Sequence, residues 1–333
     1  MAYTTIDDPS KYFQTKIYTG TNNELVLTFD GNSDMQPDMI WTKNRGRVAN
    51  HVLSDTVRGI GKGLYPDLTS VEGNTNYISA IGSDGYTIVA TDSVEINRDD
   101  DTFVSWNWKK SATAGLDIVG FTGNETNRTV SHSLSAVPHY MVVRTRNGDA
   151  GRNYSVYHHK NTAAPQTDHI FWDSTQATED DATIWNDTAP TSSVFSIGTN
   201  LGVNENNKNI IAFLWTEKQG FSKFGSYTGN GNANGPFIYL GFKPAYIVIK
   251  QSDGANGWNI YDNKRNTFNV MDKFLLANTT AAEASYSVID FLSNGIKLRN
   301  TASSFNTSGK SYIYMAFAEN PLVTSTGVPT TAR

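Results

Sequence analysis

The chain has 333 residues, of which 38% are hydrophobic and 18% charged, and its formal net charge is −5. Nucleic-acid binding is not expected, because neutralising phosphates requires clustered Lys and Arg and no basic stripe is visible. Cysteine is absent, which excludes disulfides and thiolate metal ligands. A chain of this length is expected to form two or three domains.

The first 16 residues are predicted to form an N-terminal arm. Their sequence, "MAYTTIDDPSKYFQTK", lacks the basic start and apolar centre of a secretory signal peptide. No run in the chain approaches the roughly 18–20 apolar residues of a membrane span, so membrane insertion is not expected.

Three stretches of sequence then repeat the same landmarks in the same order. An aromatic residue opens a Thr-Gly turn, a proline starts the next strand, and a basic residue ends that strand. An acidic residue follows in a Thr/Ala-rich turn. The last apolar strand of each unit ends on an aromatic residue, which lies eleven positions after an asparagine. The landmarks are Tyr18, Phe121 and Tyr227; Pro37, Pro138 and Pro244; Lys43, Arg144 and Lys250; Glu72, Glu179 and Glu283; Asn97, Asn204 and Asn306; and Trp108, Trp215 and Phe317.

The repeats predict an all-β protein of three tandem β-sandwich units, each of about 100 residues. Short runs rich in Val, Ile, Tyr, Phe, Trp and Thr alternate with Gly, Asn, Asp and Ser clusters, and no long helical period is present. The predicted units are 17–111, 118–218 and 223–320, followed by a C-terminal tail, 321–333. Each unit is expected to be a sandwich or jelly roll. Three sandwiches in a row are favoured over one closed body with the units as sectors around an axis.

Residues that could carry catalysis or bind metal do not form a convincing set. The acidic loops Asp99–Asp101 and Glu179–Asp181 place neighbouring carboxylates in different directions, whereas acid–base catalysis needs two that share a cleft. His158 and His159 are adjacent and project to opposite faces of a strand, whereas zinc needs three or four converging ligands. We therefore predict no catalytic residues, no metal site and no cofactor. A structural Ca²⁺ in an oxygen-rich loop stays open.

A ligand surface, if present, is placed near "GWNIYDNKR". That segment offers an aromatic ring and charges, which suit the apolar face and the hydroxyl groups of a sugar. The residues proposed for this surface are Trp258, Tyr261, Asp262 and Lys264, and other tryptophans considered are Trp172 and Trp185. The same pattern is also that of an ordinary strand that contributes to a core.

Several long phrases resemble a family of repeat-bearing proteins from marine tailed phages, cyanophages among them. They include "DMQPDMIWTKNRG", "WNDTAPTSSVFSIGT", "KQGFSKFGSYTGNG" and "YIYMAFAENPLVTSTGVPTTAR", and the resemblance covers essentially the whole chain. It implies a virion structural protein, of the kind placed with tail fibres or other appendages, with sandwiches comparable to concanavalin A-like lectins. It supplies no catalytic residues.

The resemblance therefore predicts a non-enzymatic tail fibre or appendage component that is assembled in the host cytoplasm and exposed on the particle. The expected partners are other virion proteins, copies of the same chain in a symmetric assembly such as a trimer, and a host-surface glycan. A capsid-decorating protein and a tail-borne polysaccharide-degrading enzyme are the alternatives. Repetition of one unit multiplies weak contacts, which gain avidity when they are linked.

Overall fold

The computed structural model describes residues 2–330, and antiparallel strands dominate it. The predicted all-β class is confirmed, with several antiparallel sheets stacked in a sandwich-like manner. The only helical segments among these residues are a 3₁₀ turn, Pro9–Lys11, and the one-turn helices α1 (Ala182–Trp185), α2 (Leu201–Asn204) and α3 (Ser303–Asn306).

The strands fall into three consecutive sets, which we call the first, second and third units. The first unit contains β1 (Phe13–Thr19), β2 (Leu25–Leu27), β3 (Met39–Asn44), β4 (Val52–Asp55), β5 (Lys62–Gly63), β6 (Gly73–Asn74), β7 (Ile78–Gly82), β8 (Gly85–Ile88) and β9 (Thr102–Trp108). The second contains β10 (Leu116–Thr122), β11 (Arg128–Ser131), β12 (Tyr140–Thr145), β13 (Ser155–His158), β14 (Asp168–Phe171), β15 (Glu179–Asp180), β16 (Val194–Ile197) and β17 (Asn209–Trp215). The third contains β18 (Ser222–Thr228), β19 (Phe237–Tyr239), β20 (Phe242–Gln251), β21 (Asn259–Asp262), β22 (Met271–Leu276), β23 (Ala284–Leu292), β24 (Gly295–Leu298) and β25 (Ser311–Pro321).

Each unit contains a main sheet with the same order of four strands. The orders are β1-β9-β3-β4, β10-β17-β12-β13 and β18-β25-β20-β21. A second layer covers one face of each main sheet and encloses a core that belongs to that unit alone. In the first unit this layer is β2-β8-β7, and Ile40 of β3 packs beneath it with Ile88 of β8.

The other faces of the three main sheets meet in one shared core. It combines Trp41, Trp106 and Trp108 of the first unit with Tyr140 and Trp215 of the second and with residues of the third unit, among them Tyr246, Ile260 and Phe317. The first and third units touch directly, since the Trp106 indole donates a hydrogen bond to Asp262 at 3.0 Å. The units are therefore sandwich-like, as predicted, but they meet around a common core instead of following one another in a row. Because both faces of each main sheet are apolar, each sheet needs a second layer on one face and its neighbours on the other.

The recurring asparagines hold one turn in each unit. The side chains of Asn97, Asn204 and Asn306 are fully buried and accept a hydrogen bond from a backbone N–H of the Thr-Gly turn at 3.0, 3.0 and 2.8 Å, respectively. Each amide also donates to two backbone carbonyls. At the turn glycine, shown by Gly20, an added Cβ would overlap the carbonyl of Arg98. These contacts explain why the sequence repeats Asn and Gly at these places.

The predicted arm and tail are part of the folded body as far as residue 330. β1 begins at Phe13, inside the predicted arm, and Pro321 is the last residue of β25. Before β1, the Thr4 hydroxyl donates to the carbonyl of Gln219 at 2.7 Å. Asp7 accepts a hydrogen bond from the Ser325 N–H at 2.6 Å. Residues 331–333 of the predicted tail lie outside the described residues, and the predicted unit boundaries stay predictions.

Candidate functional site

The three main sheets leave related clefts where the edge strand of one unit faces a loop of another. One of them, which we call the Asp30 cleft, has a volume of about 630 Å³ and lies between β1 and the loop that follows β21. The second, the His159 cleft, has a volume of about 400 Å³ and lies between β18 and the segment after β13. At the corresponding position between the first and second units, Val57 packs against Gly120 of β10. The Asp30 cleft is therefore the larger of these two clefts.

The floor of the Asp30 cleft is apolar and its rim is polar. Five buried residues form the floor: Phe13, Ala245, Met271, Phe291 and Ala318. Four charged residues lie at the rim, namely Asp30, Lys243, Lys264 and Glu319. An apolar floor with a few convergent polar groups is typical of a ligand-binding pocket.

The charges of the rim are paired with each other. Lys264 Nζ lies 2.8 Å from Asp30 Oδ1, and Lys16 Nζ lies 3.5 Å from Asp30 Oδ2. Lys243 Nζ lies 2.7 Å from Glu319 Oε2. Partial burial raises the pKa of Asp30, but the hydrogen bond and charge of Lys264, with the charge of Lys16, outweigh it and lower that pKa. Asp30 is thus an ionised acceptor and is poorly suited to act as a general acid.

The side chains that remain available for a ligand are mostly neutral. Among residues 2–330, the side chains of Asn32, Asn263, Thr267 and Asn320 form no hydrogen bond, and all four line the cleft. Phe268, on the same loop, has 83% of its surface exposed. Amides and a hydroxyl beside an exposed ring can hydrogen-bond to vicinal hydroxyl groups and stack on the apolar face of a sugar.

Two asparagines of the same loop have a structural role instead. The Asn266 side chain accepts from the N–H of Lys273 at 2.7 Å, and its amide donates to Asp272 at 2.8 Å. The Asn269 side chain accepts from the N–H of Phe291 at 2.8 Å. These bonds hold the loop against β22 and β23, so the cleft is formed before any ligand arrives.

The His159 cleft is more aromatic, and its polar groups are largely engaged. Phe237 and Tyr239 are about half exposed there. His159 Nε2 lies 2.6 Å from the carbonyl of Phe224, and Glu217 accepts from the N–H of Phe224 at 2.9 Å. Burial raises the pKa of Glu217, but the hydrogen bonds from His159 and from the Phe224 N–H outweigh it and lower that pKa.

The residues that were proposed from the sequence for a ligand surface do not lie together on a single surface. Trp258 is buried in the shared core and its indole donates to the carbonyl of Phe171 at 2.8 Å. Tyr261 is buried in the core of the third unit, and Asp262 is buried beside Arg265. Only Lys264 reaches the cleft. Trp172 and Trp185, also considered, are fully buried.

The cleft is also lined by Asp30, Asn263 and Phe268, which were not among the residues proposed for a ligand surface; Asp30 was considered only as part of an oxygen-rich loop. A weak signal existed, because "NKRNTFNV" after β21 is a polar loop that carries a single large aromatic residue. Nothing in the sequence indicates that this loop lies beside "DGN" of the first unit, since more than 200 residues separate the two segments.

Two buried carboxyl groups with raised pKa values lie outside both clefts. Burial raises the pKa of Asp67 and of Asp173 to about 6. Each accepts a hydrogen bond from the backbone N–H just before β4 or β13, at 3.0 and 3.1 Å. In the third unit Asn278 accepts the equivalent bond before β21, at 2.9 Å. Because an amide serves equally well at this position, the two carboxyls are structural.

The acidic clusters also have local partners. Asp101 is buried and lies 2.6 Å from Arg47, and Asp181 caps the N-terminus of α1. In the part of the chain that the structure describes, no group of three or more His, Cys, Asp or Glu could hold a metal ion. No helix within residues 2–330 has the length and apolar character needed to cross a membrane.

Comparisons with known proteins place the chain in a family without defining a ligand. A family model with the description "Domain of unknown function (DUF7483)" matches residues 8–321, which include all three units. No protein of curated function matches the chain. One solved structure with some likeness is titled "Crystal Structure of the STIV MCP". Its sequence identity is 7% and its TM-score 0.20, and the match covers 61% of this chain and 84% of that one.

Proposed function

The chain belongs to the family described as "Domain of unknown function (DUF7483)", and we propose that it is a non-enzymatic structural protein of a phage virion. In this proposal it forms part of a tail fibre or appendage, and its Asp30 cleft binds a glycan of the host surface. The virion role is supported by the sequence resemblance, which extends over essentially the whole chain.

One observation carries the glycan role. Unpaired amide and hydroxyl side chains stand beside the exposed ring of Phe268 in a cleft of about 630 Å³ whose floor is apolar. The paired charges of the rim nearly cancel, which favours a neutral ligand over a strongly charged one. Linking several such chains on one particle would turn a weak single contact into firm attachment.

The same cleft argues against the polysaccharide-degrading alternative. Glycoside hydrolysis uses two carboxyl groups, one of which must hold a proton near neutral pH. The pKa of Asp30 is lowered, and Glu319 is paired with Lys243. Neither group is arranged to donate a proton, so we propose binding without cleavage.

A glycan array, followed by calorimetry with the glycans that bind, tests the proposal. We expect Phe268→Ala to weaken binding by roughly 3- to 10-fold, which is the effect of losing one stacking contact. Tyr286→Ala is the matched control, because Tyr286 is 48% exposed and lines neither cleft. Binding of no glycan, or equal loss in both variants, would overturn the assignment to this cleft.

The position on the particle is tested by electron microscopy of intact particles labelled with a specific antibody. Label on distal tail appendages is the expected result. Label on the head shell would instead favour a capsid-decorating role and would contradict the appendage part of the proposal.

A further inference from the structure

The two linkers that join consecutive units are held by different chemical groups. We call residues 109–115, between β9 and β10, the first linker, and residues 216–221, between β17 and β18, the second linker. The residue just before β3 is Asp38, and the residue just before β12 is His139. By register these two residues occupy the same position in their units, and Ala245 occupies it in the third unit.

The side chains of Asp38 and His139 both accept the N–H of the second residue of a linker. The Lys110 N–H donates to Asp38 Oδ2 at 2.8 Å, and the Glu217 N–H donates to His139 Nδ1 at 2.9 Å. The hydroxyl of Thr216 also lies 3.1 Å from this Nδ1 atom. The two contacts are therefore equivalent, but one uses a carboxylate and the other an imidazole.

The imidazole can accept this bond only while it is neutral. A backbone N–H always donates, so the Nδ1 atom that faces Glu217 carries no proton. In an imidazolium both ring nitrogens are donors, whereas a carboxyl group keeps an acceptor oxygen in either protonation state. Protonation of His139 would thus set two N–H groups against each other at 2.9 Å. The second linker is therefore sensitive to acid at a point where the first linker is not.

The groups around His139 also oppose a positive charge on its ring. Partial burial lowers the pKa of His139, and the charges of His159 and Lys160 lower it further against the opposing charge of Glu217. The ring centroids of His139 and His159 lie 4.4 Å apart. Burial lowers the pKa of the neighbouring His158 to about 3, so that ring stays neutral in mild acid. The bonded ring of His139 therefore resists protonation at pH values where a free imidazole accepts a proton.

The second linker also carries the group that covers the edge of β18. The Glu217 side chain accepts from the N–H of Phe224 at 2.9 Å, so this residue is bonded to His139 through its backbone and to β18 through its carboxylate. His159 donates to the carbonyl of Phe224, and protonation leaves that donor in place. Displacing Glu217 would therefore uncover the N–H of Phe224 in the His159 cleft.

We propose that the contact between His139 and Glu217 is a pH-sensitive device, which opens the His159 cleft on acidification by releasing the second linker from His139. The contact is fully formed above pH 6.5, the ordinary pKa of histidine, and is lost as the pH falls below it. Each pH unit favours release by at most about 10-fold, because the released ring binds a proton at Nδ1 that the bonded ring cannot accept. The device does not involve the Asp30 cleft and does not depend on the proposed glycan binding.

Hydrogen exchange at single amides of the full chain, followed by NMR at pH 7.5 and pH 5, tests the device. After normalisation to the intrinsic exchange rate at each pH, we expect the amides of Glu217 and Phe224 to lose about 10-fold in protection at pH 5. The amide of Lys110, which is bonded to Asp38, is the internal control and should keep its protection. Unchanged protection of Glu217 or of Phe224 at pH 5 would overturn the proposal.

His139→Asn is the matched variant for this experiment. Its Oδ1 atom takes the place of the histidine Nδ1, so it can accept the Glu217 N–H, and the amide does not titrate. We expect this variant to keep the protection of Glu217 and Phe224 at pH 5. A loss as large as in the natural chain would show that acid acts through another group and would refute the role of His139.

A second variant covers the case in which His139→Asn does not fold. Asp38→His places an imidazole at the first linker, and we expect the amide of Lys110 then to lose about 10-fold in protection between pH 7.5 and pH 5. A Lys110 amide that is protected equally at both pH values in this variant would contradict the claim that an imidazole makes a linker sensitive to acid.

Discussion

The junctions between units solve one packing problem in two chemical ways. Where the first unit meets the second, Arg58 is fully buried, pairs with Asp55, and lies 3.0 Å from Glu72, which in turn lies 2.8 Å from Arg146 of the second unit. Where the third unit meets the first, Arg265 pairs with Asp262 at 2.6 Å and with Glu283 at 3.2 Å. Glu283 then binds Arg45 of the first unit at 2.8 Å.

The junction between the second and third units is neutral. His158 stands in the register position of the two aspartates, and it contacts the carbonyl of Tyr314 at 3.1 Å. Asn161 replaces the arginine, and its side chain accepts from the hydroxyl of Thr178 at 2.8 Å. Ser252 stands in the position of the outer arginine.

The difference shows that the charges do not set the geometry of a junction. The same backbone bond crosses all three, from Glu72 to Arg146, from Glu283 to Arg45 and from Thr178 to Ser252, at 2.8 Å each time. A buried cation also reaches across each junction to backbone carbonyls: Lys43 to Thr280, Arg144 to Leu68 and Ser70, and Lys250 to Thr175. Burial lowers the pKa of Lys43 and of Lys250 to about 8.

Removing one charge from a charged junction should have the largest effect on the free energy of unfolding. Asp262→Asn keeps the shape of the side chain but leaves the fully buried guanidinium of Arg265 with Glu283 as its one carboxylate partner, beside the carbonyl of Ile260. We expect a loss of about 3 kcal/mol in the free energy of unfolding, measured by urea denaturation, because a buried ion that loses its partner is not resolvated.

The control for this prediction is Asp290→Asn. Asp290 pairs with Arg299, whose side chain is 47% exposed, so water can take over and the loss should not exceed about 1 kcal/mol. Similar losses at the two sites would mean that burial does not distinguish the charged junctions from the surface pairs.

The carboxyl groups of Asp67 and Asp173, which accept the N–H just before β4 and β13, allow the units to be compared through the pH dependence of stability. The folded pKa of Asp67 is about 6 and its ordinary value is 3.8, so between these values the folded state holds the extra proton. Stability therefore falls as pH rises through this window and stays lower above it. Asp67→Asn should remove the fall, a relative gain of about 2–3 kcal/mol between pH 4 and pH 7.

The reverse substitution can be made at Asn278, the neutral residue that occupies the equivalent position in the third unit. Asn278→Asp should introduce a fall in stability over the same pH window, which unfolding at pH 4 and pH 7 would measure. Identical pH profiles for Asp67→Asn and the natural chain would show that the carboxyl group is not desolvated as the structure indicates.

Much of the fold inside each unit could be predicted from local sequence. Asn204 and the turn glycine Gly123 recur because one buried amide must satisfy a turn N–H and two carbonyls, and no other residue type fits there. The basic residue that ends the third strand also recurs, since each copy reaches carbonyls of a neighbouring unit. A requirement of this kind fixes the residue type at one position, so the same residue recurs in every unit.

The closure of the units and the cleft could not be predicted in this way. Trp258 and Tyr261 alternate as the two sides of any strand do, and period-two alternation does not show that both faces are buried. Contacts such as Lys264 with Asp30 join residues more than 200 positions apart, with no periodic pattern to indicate them.

Transplanting the neutral junction should have the smallest effect, although it changes the most residues. The variant combines Asp262→His, Arg265→Asn, Glu283→Thr and Arg45→Ser, which copies the junction between the second and third units. All the ions of the network leave together, so no buried charge loses its partner. A neutral imidazole at position 262 has one acceptor nitrogen, which can take the Trp106 N–H or the Lys264 N–H but not both. We expect a free energy of unfolding within about 1 kcal/mol of the natural chain, and clearly above that of Asp262→Asn alone. Urea denaturation of the two variants side by side decides the point: if the fourfold variant is the less stable of the two, the charges and not the backbone bonds hold the junction.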